Sequence, residues 1–247
     1  MNLEVIGVPC AREFRPGDDI VAALAEALEL VGGVRAGDVL VVTQKVISKA
    51  EGRGVALDSV QPGTLAQSFA ETWHKDPRVV ELALREAKRV VRMVRGVLIT
   101  QTHQGFICAN SGVDRSNVDD GEALLLPVDP DASAEGIRAG IAERTGVEMP
   151  VVVTDTFGRP WRRGQTNVAI GIAGAAPIVD YRGQPDASGR ELKVTEIAVA
   201  DEIASAAELV MNKSDGIPFA IVRGYRMPPG DGSAKELVRA TEHDLFL

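Results

Sequence analysis

The sequence predicts a mixed α+β fold, with mixed sheets and flanking helices. Three observations carry this. Runs of β-branched and aliphatic residues at 38–43, 151–153 and 217–222 have the character of strands buried on both faces. Segments at 20–31, 129–146 and 195–210 place apolar residues three and four apart, with capping residues and glycines at several of their ends, as amphipathic helices do. Between them, the hairpin-like stretch at 89–102 breaks any strict alternation of strand and helix, so a purely parallel βαβ array is not expected.

The elements follow in order. Residues 3–7 alternate and read as a first strand. After a loop at 8–14, Arg15-Pro16-Gly17 forms a turn, and Asp18 is a candidate N-cap for a helix carrying Ile20, Leu24, Leu28 and Val31. Gly32 and Gly33 stop it. The strand at 38–43 completes a βαβ-type start and runs into a polar segment at 44–52, where Lys45 and Lys49 share one face of a helical turn. Residues 63–74 read as a helix. Asp76-Pro77 caps and opens another, which runs to about 88. The hairpin at 89–102 turns at Gly96, and a third strand follows at 106–109. Residues 122–127 form a strand, and 129–146 a helix from Asp129-Pro130 to Gly146. The strand opening at Val151 ends in Thr154, Asp155 and Thr156, and a polar loop leads to a returning apolar segment at 168–173. A strand at 178–181, a polar loop at 184–190 and extended chain at 191–197 precede the helix that begins near 195. Asp201 and Glu202 lie in its first turns, where carboxylates complement the helix dipole. Residues 217–222 are the last strand, 228–232 a break, 233–239 a short helix and 244–247 a tail. There is no internal repeat, and 1–247 reads as one domain, at most two intimately connected subdomains.

The chain has 247 residues, of which 45% are apolar and 25% charged, as in ordinary globular proteins. Its net charge of −8 argues against general nucleic-acid binding. Cys10 and Cys108 are far apart and form no zinc set with the three histidines, so a reduced, cytoplasmic protein is expected. Neither a signal peptide nor a membrane-spanning stretch is recognisable.

Polar groups concentrate in three places. Asp155, flanked by two hydroxyls at a strand end, is a seat for a hard cation. Arg159, Arg162, Arg163 and Gln165 follow among glycines, and guanidinium forks match phosphate and carboxylate geometry. The turn at 110–117 offers Asp114 as a second metal-type carboxylate, with Ser116 and Asn117 beside it. Taken singly, the lysine segment at 44–52 is a solvated helix end, 110–117 an Asx-type turn and 154–165 a strand end with a polar surface loop. Together they favour a site for a small anionic ligand and a cation.

The segments KVISKAEGR at 45–53, ANSGVDRSN at 109–117 and TDTFGRPWRRGQ at 154–165 resemble, in order, three motifs of the coenzyme F420 γ-glutamyl ligases. FRPGDD at 14–19, LPVDPDAS at 126–133 and VTEIAVADEI at 194–203 agree with the same family, so the resemblance spans about residues 5–224. It implies an enzyme that adds L-glutamate to the lactyl carboxylate of coenzyme F420-0, a deazaflavin precursor. GTP is spent through an acyl phosphate, and a short γ-linked tail can follow. It also implies Mg²⁺ or Mn²⁺, two per site, with K⁺ as a helper, and the family's α+β fold as an intertwined homodimer. By motif position, Asp114, Asp155 and Thr156 correspond to the divalent-metal ligands, and Lys49 and Asn117 to nucleotide contacts. Gln44 stands where bacterial relatives can carry a nucleotide-touching serine. Val8, Pro9, Glu13 and Phe14 fall on the family's first nucleotide segment, where this chain has a longer loop. Asp114, Asp155 and Lys49 form the implied catalytic set, and the arginines with Gln165 are candidates for the acceptor. The nitroreductase-like domain of some relatives is not expected. Two other readings use the same residues: a metal-dependent nucleotide phosphohydrolase, and a non-catalytic nucleotide- or deazaflavin-binding protein.

Overall fold

The computed structural model describes residues 2–244. In chain order the elements are β1 (Glu4–Val8), α1 (Ile20–Leu30), β2 (Val39–Thr43), α2 (Gln44–Ala50), β3 (Gly54–Ala56), α3 (Thr64–Trp73) and α4 (Pro77–Arg85). Then come β4 (Ala87–Val94), β5 (Val97–Thr102), β6 (Ile107–Ala109), β7 (Glu122–Leu124), α5 (Pro130–Thr145), β8 (Val151–Arg159) and β9 (Arg162–Ala173). The chain continues through β10 (Val179–Asp180), β11 (Glu196–Ile197), α6 (Val199–Met211) and β12 (Phe219–Arg223).

The main sheet has the order β1-β12-β2-β8-β9. Only β2 and β8 are parallel; the other neighbours are antiparallel. The expected mixed sheet is therefore what forms. Its central strands are aliphatic on both faces because both faces are covered: Val39 to Val42, Val151 to Val153 and Phe219 to Val222 are all buried. Helices α1, α5 and α6 supply the cover. A bidentate pair ties the sheet at one end: Arg223 donates from Nε and Nη2 to the two carboxylate oxygens of buried Asp38, at 2.9 and 2.8 Å. A second layer holds the sheet β4-β5-β6 and the helices α3 and α4, around Phe69, Val80 and Leu98. The short pair β3-β7 joins the two layers: β7 falls in the strand expected at 122–127, and its partner β3 is not announced by the sequence.

Several expectations shift. The N-cap of α1 is Asp19, which accepts the Ala22 N–H at 2.9 Å; Asp18 instead accepts the Arg15 N–H and closes the preceding turn. Helix α4 ends at Arg85 rather than about 88, because β4 takes the chain from Ala87. Helix α6 starts at Val199, not near 195, since Glu196 and Ile197 pair with β10. The helix expected at 233–239 is a single 3₁₀ turn, Ala234–Leu237, held by a capping box between Ser233 and Glu236. Of the tail, only Asp244 lies within the described residues. The largest change concerns 154–165. This is no loop: β8 and β9 stay paired to Arg159 and Arg162, forming an arm that outruns β2. The reversal falls at Pro160 and Trp161, with Trp161 at φ +61°. No helix of the described residues is long and apolar enough to cross a membrane.

Candidate active site

The parallel pair sets the site. β2 and β8 end their pairing at Thr43 and Thr154. Beyond that point β2 turns into α2, carrying Gln44, Lys45 and Lys49, while β8 runs on into the arm with Asp155 and Thr156. Polar groups collect at the same end of two adjacent parallel strands, where α/β sheets commonly bind ligands.

Asp114 reaches this place from the second layer. The turn before it is locked by buried hydroxyls: Ser111 Oγ donates to the Ala83 carbonyl at 2.6 Å, and Thr100 Oγ1 accepts the Ser111 N–H at 2.9 Å. Asn110, Ser111 and Gly112 all adopt positive φ, which swings the chain round sharply. Asp114 then exchanges two backbone hydrogen bonds with Leu124, at 2.9 and 2.8 Å. Its carboxylate accepts the Ser116 N–H at 2.7 Å and pairs with the Lys45 ammonium at 2.8 Å. Burial pulls this carboxyl up, but Lys45 and Ser116 outweigh burial and hold it below the usual range.

Asp155 behaves oppositely. Burial pushes its carboxyl up to about 7, and the Asp114 charge adds to that; the Thr156 N–H and the ammonium groups of Lys45 and Lys213 oppose it. The site thus holds two carboxylates from distant segments, one held ionised and one pushed toward its protonated form, in each other's field. Neighbouring Cys108 is buried, and burial with the Asp155 charge pushes its thiol up to about 12, so it stays protonated and inert.

Thr156 follows on the arm, and the ammonium of its partner Lys213 is also felt by Asp155. The Thr156 hydroxyl donates to Asn167 Oδ1 at 2.7 Å and accepts from Lys213 Nζ at 2.7 Å. Lys213 is also paired with Glu208. Asn117 Nδ2 donates to the Lys213 carbonyl at 3.4 Å, which brings the 110–117 turn to the same spot. Lys213, Glu208 and the pairing of Lys45 with Asp114 were not read from the sequence. Lys213 sits in the polar turn after α6, where nothing local separates a functional lysine from a solvated one.

The other expected residues are placed as follows. Lys49 lies one helical turn beyond Lys45 and is paired with Glu13. Gln44 is buried at the start of α2; its Oε1 accepts from Ser48 Oγ at 2.7 Å, while its Nε2 has no partner. Val8 and Phe14 are core side chains, Phe14 meeting Phe219 edge-on, so any contact they make with a ligand goes through their backbone. Pro9 is exposed. Arg162, Arg163 and Gln165 are exposed near the end of the arm. Arg159 is half-buried, with a buried Nε that lacks a partner and one long bond, 3.5 Å, to the Arg163 carbonyl.

Among the described residues, no group of three or more His, Cys, Asp or Glu side chains could hold a metal alone. The donor set is two carboxylates and a hydroxyl. That is too few for a closed cage but suits an oxygen-loving cation whose remaining positions go to phosphate and water. The raised carboxyl of Asp155 fits the same need, since a divalent ion would stabilise its charged form. Two concavities, of about 600 and 450 Å³, lie elsewhere, one beside His74 and one beside Arg226.

A model of the F420-0:gamma-glutamyl ligase family matches residues 10–224. Similar proteins include the coenzyme F420:L-glutamate ligase of Methanopyrus kandleri, 44% identical over 99% of this chain and 98% of its own. That of Methanothermobacter thermautotrophicus is 44% identical over 100% and 99%, and that of Methanocaldococcus jannaschii 44% over 99% and 97%.

Proposed function

The chain belongs to the F420-0:gamma-glutamyl ligase family, and from that premise we propose that it joins L-glutamate to coenzyme F420-0 at the expense of GTP. It is a ligase of coenzyme F420 biosynthesis. The observation that carries the finer reading is the meeting of Asp114 and Asp155, brought from separate layers beside Lys45.

A carboxylate does not react with an amine at neutral pH, because hydroxide or oxide is a poor leaving group. In the proposed reaction an acceptor carboxylate oxygen attacks the γ-phosphorus of GTP, and GDP leaves. The glutamate amine then attacks the acyl carbon, the C–O bond to the phosphoryl oxygen breaks, phosphate leaves, and the amine loses a proton. Asp114, Asp155 and Thr156 would hold Mg²⁺ or Mn²⁺, which when bound neutralises phosphate oxygens. Lys49, steadied by Glu13, neutralises nucleotide phosphate, and Gln44, Asn117 and the 8–14 backbone are the other proposed nucleotide contacts. The arm addresses the acceptor's anionic groups. Arg159 is its best candidate, since its buried Nε lacks a partner that a bound anion would supply. The family resemblance adds a homodimer and K⁺.

The test is direct. Purified protein is incubated with F420-0, L-glutamate, GTP and Mn²⁺, and the product is weighed by mass spectrometry. A product heavier by one glutamyl residue, with GDP release that requires acceptor and glutamate together, supports the proposal. GDP release without acceptor points instead to a phosphohydrolase, and binding without turnover to a nucleotide-binding protein.

A further inference from the structure

Two of the three metal-type residues are already in contact with a cation, and in each case that cation is a lysine of this chain. Asp114 has one carboxylate oxygen occupied by the Ser116 N–H; the other accepts from Lys45 Nζ at 2.8 Å. Lys45 is fixed there by further bonds to the Ser116 hydroxyl and, at 3.3 Å, to its carbonyl. Thr156 gives its proton to Asn167, which leaves its oxygen lone pairs facing outward, and Lys213 Nζ takes them at 2.7 Å. Lys213 is anchored by Glu208 and by Asn167 Oδ1 at 3.4 Å. The ammonium groups sit on the very oxygens a hard cation would use. Lys49 differs: one helical turn away on the same helix, it pairs with Glu13 and touches none of these oxygens.

We infer that Lys45 and Lys213 are built-in counter-cations, which hold Asp114 and Thr156 until a divalent ion displaces them. This rests on the metal reading of the site given above. A divalent ion beside two ammonium groups is repelled by both, so its arrival must free them. Once freed, they are mobile cations at the edge of a phosphate site. The metal alone therefore binds weakly, and an anionic partner that draws the lysines away strengthens it, a reciprocal coupling between the two ligands.

The experiment titrates Mn²⁺ alone, without nucleotide, into metal-free protein, and follows free Mn²⁺ by electron paramagnetic resonance. Lys45→Met should bind Mn²⁺ about five- to tenfold more tightly than the parent, as expected for losing a partly exposed, hydrogen-bonded ion pair that competes for the ligand. Lys45→Gln, which retains a donor for Ser116, should show the same direction and guards against misfolding. Lys213→Met should tighten binding less, because Thr156 is neutral. Lys49→Met should change it by no more than about twofold, the share left for general field effects across a screened site. Without metal, Lys45→Met should melt lower than the parent, and saturating Mn²⁺ should erase the difference. Equal or weaker Mn²⁺ binding by both Lys45 variants overturns the inference, as does equal tightening by Lys49→Met. If neither parent nor variants bind Mn²⁺, the metal reading falls along with it. If all bind alike, only this inference falls.

Discussion

At the residue scale, two aspartates of the same chemistry are shifted in opposite directions by what surrounds them. Asp114 has a lysine and two donors from Ser116; Asp155 has burial and a like charge. The sequence shows both as carboxylates in polar runs and cannot show this difference, because Lys45 lies about seventy residues from Asp114 and the pairing is purely tertiary. The consequence is a stability cost with a definite pH window. In metal-free protein the Asp155 carboxyl titrates near 7, whereas in the unfolded chain it titrates at the ordinary aspartate value. Between those values the folded state binds the extra proton, so stability falls as pH rises through the window and is level above it, by on the order of a few kcal/mol in all. Asp155→Asn should therefore melt higher than the parent at pH 8 in chelator, with the gap closing toward pH 4, while losing Mn²⁺ binding. An unchanged gap across that range in thermal melts contradicts the assignment. Arg159 supports a second prediction at this scale. Lysine keeps the charge but loses the fork, so Arg159→Lys should raise KM for F420-0 by about tenfold, while Arg162→Lys and Arg163→Lys shift it little. Steady-state kinetics with the acceptor varied would separate the three.

At the element scale, the turn into Asp114 and the β8–β9 arm do the positioning. Turn residues at 110–117 are legible in the sequence; their conformation is not, since Asn110 and Ser111 take positive φ only because Thr100 and Ala83 receive the serine. The arm was legible as two strand ends but not as a continuous hairpin. Its arginines and glycines weaken any strand pattern, and the register that pairs Thr156 with Asn167 depends on a bulge at Ile170. Gly112 tests the turn. It has φ +72°, and a Cβ there would lie 2.7 Å from Cγ and Cδ1 of Leu126, which is fully buried and cannot yield. Gly112→Ala should cost about 2–4 kcal/mol from left-handed backbone and overpacking together. Because Asp114 is two residues on, Mn²⁺ affinity should fall as well. Urea denaturation reads the first effect and the Mn²⁺ titration the second; a variant with parental affinity would show that the turn does not position the carboxylate.

At the scale of the whole molecule, the fold class was legible because the aliphatic runs of the central strands are unmistakable. Strand order was not: β12, the last strand, inserts between β1 and β2, and only long-range pairing decides that. Nor could the sequence show how the sheet is finished at β9, the edge beside the arm. There the outward N–H groups of Asn167, Ala169 and Ile172 are accepted by the carboxylates of Glu208, Asp201 and Asp131, at 3.0, 2.9 and 2.9 Å. A regular alternation would turn the N–H of Gly171 outward after that of Ala169; the bulge at Ile170 shifts the parity by one, and the third outward group belongs to Ile172. Asp201 reads from sequence as a helix-dipole carboxylate; the fold also employs it as an edge cap. Burial raises its carboxyl, and the Ala169 N–H opposes that rise. Two helices thus close the edge with side chains where a neighbouring strand would otherwise add. Asp201→Leu should leave the Ala169 N–H without its acceptor at a cost of about 1–3 kcal/mol. It should also open the edge to pairing, so light scattering on warming should show aggregation that rises with protein concentration. Asp201→Asn keeps an acceptor oxygen and should do neither; if it aggregates as readily as the leucine variant, the edge-capping role is wrong and the charge alone matters.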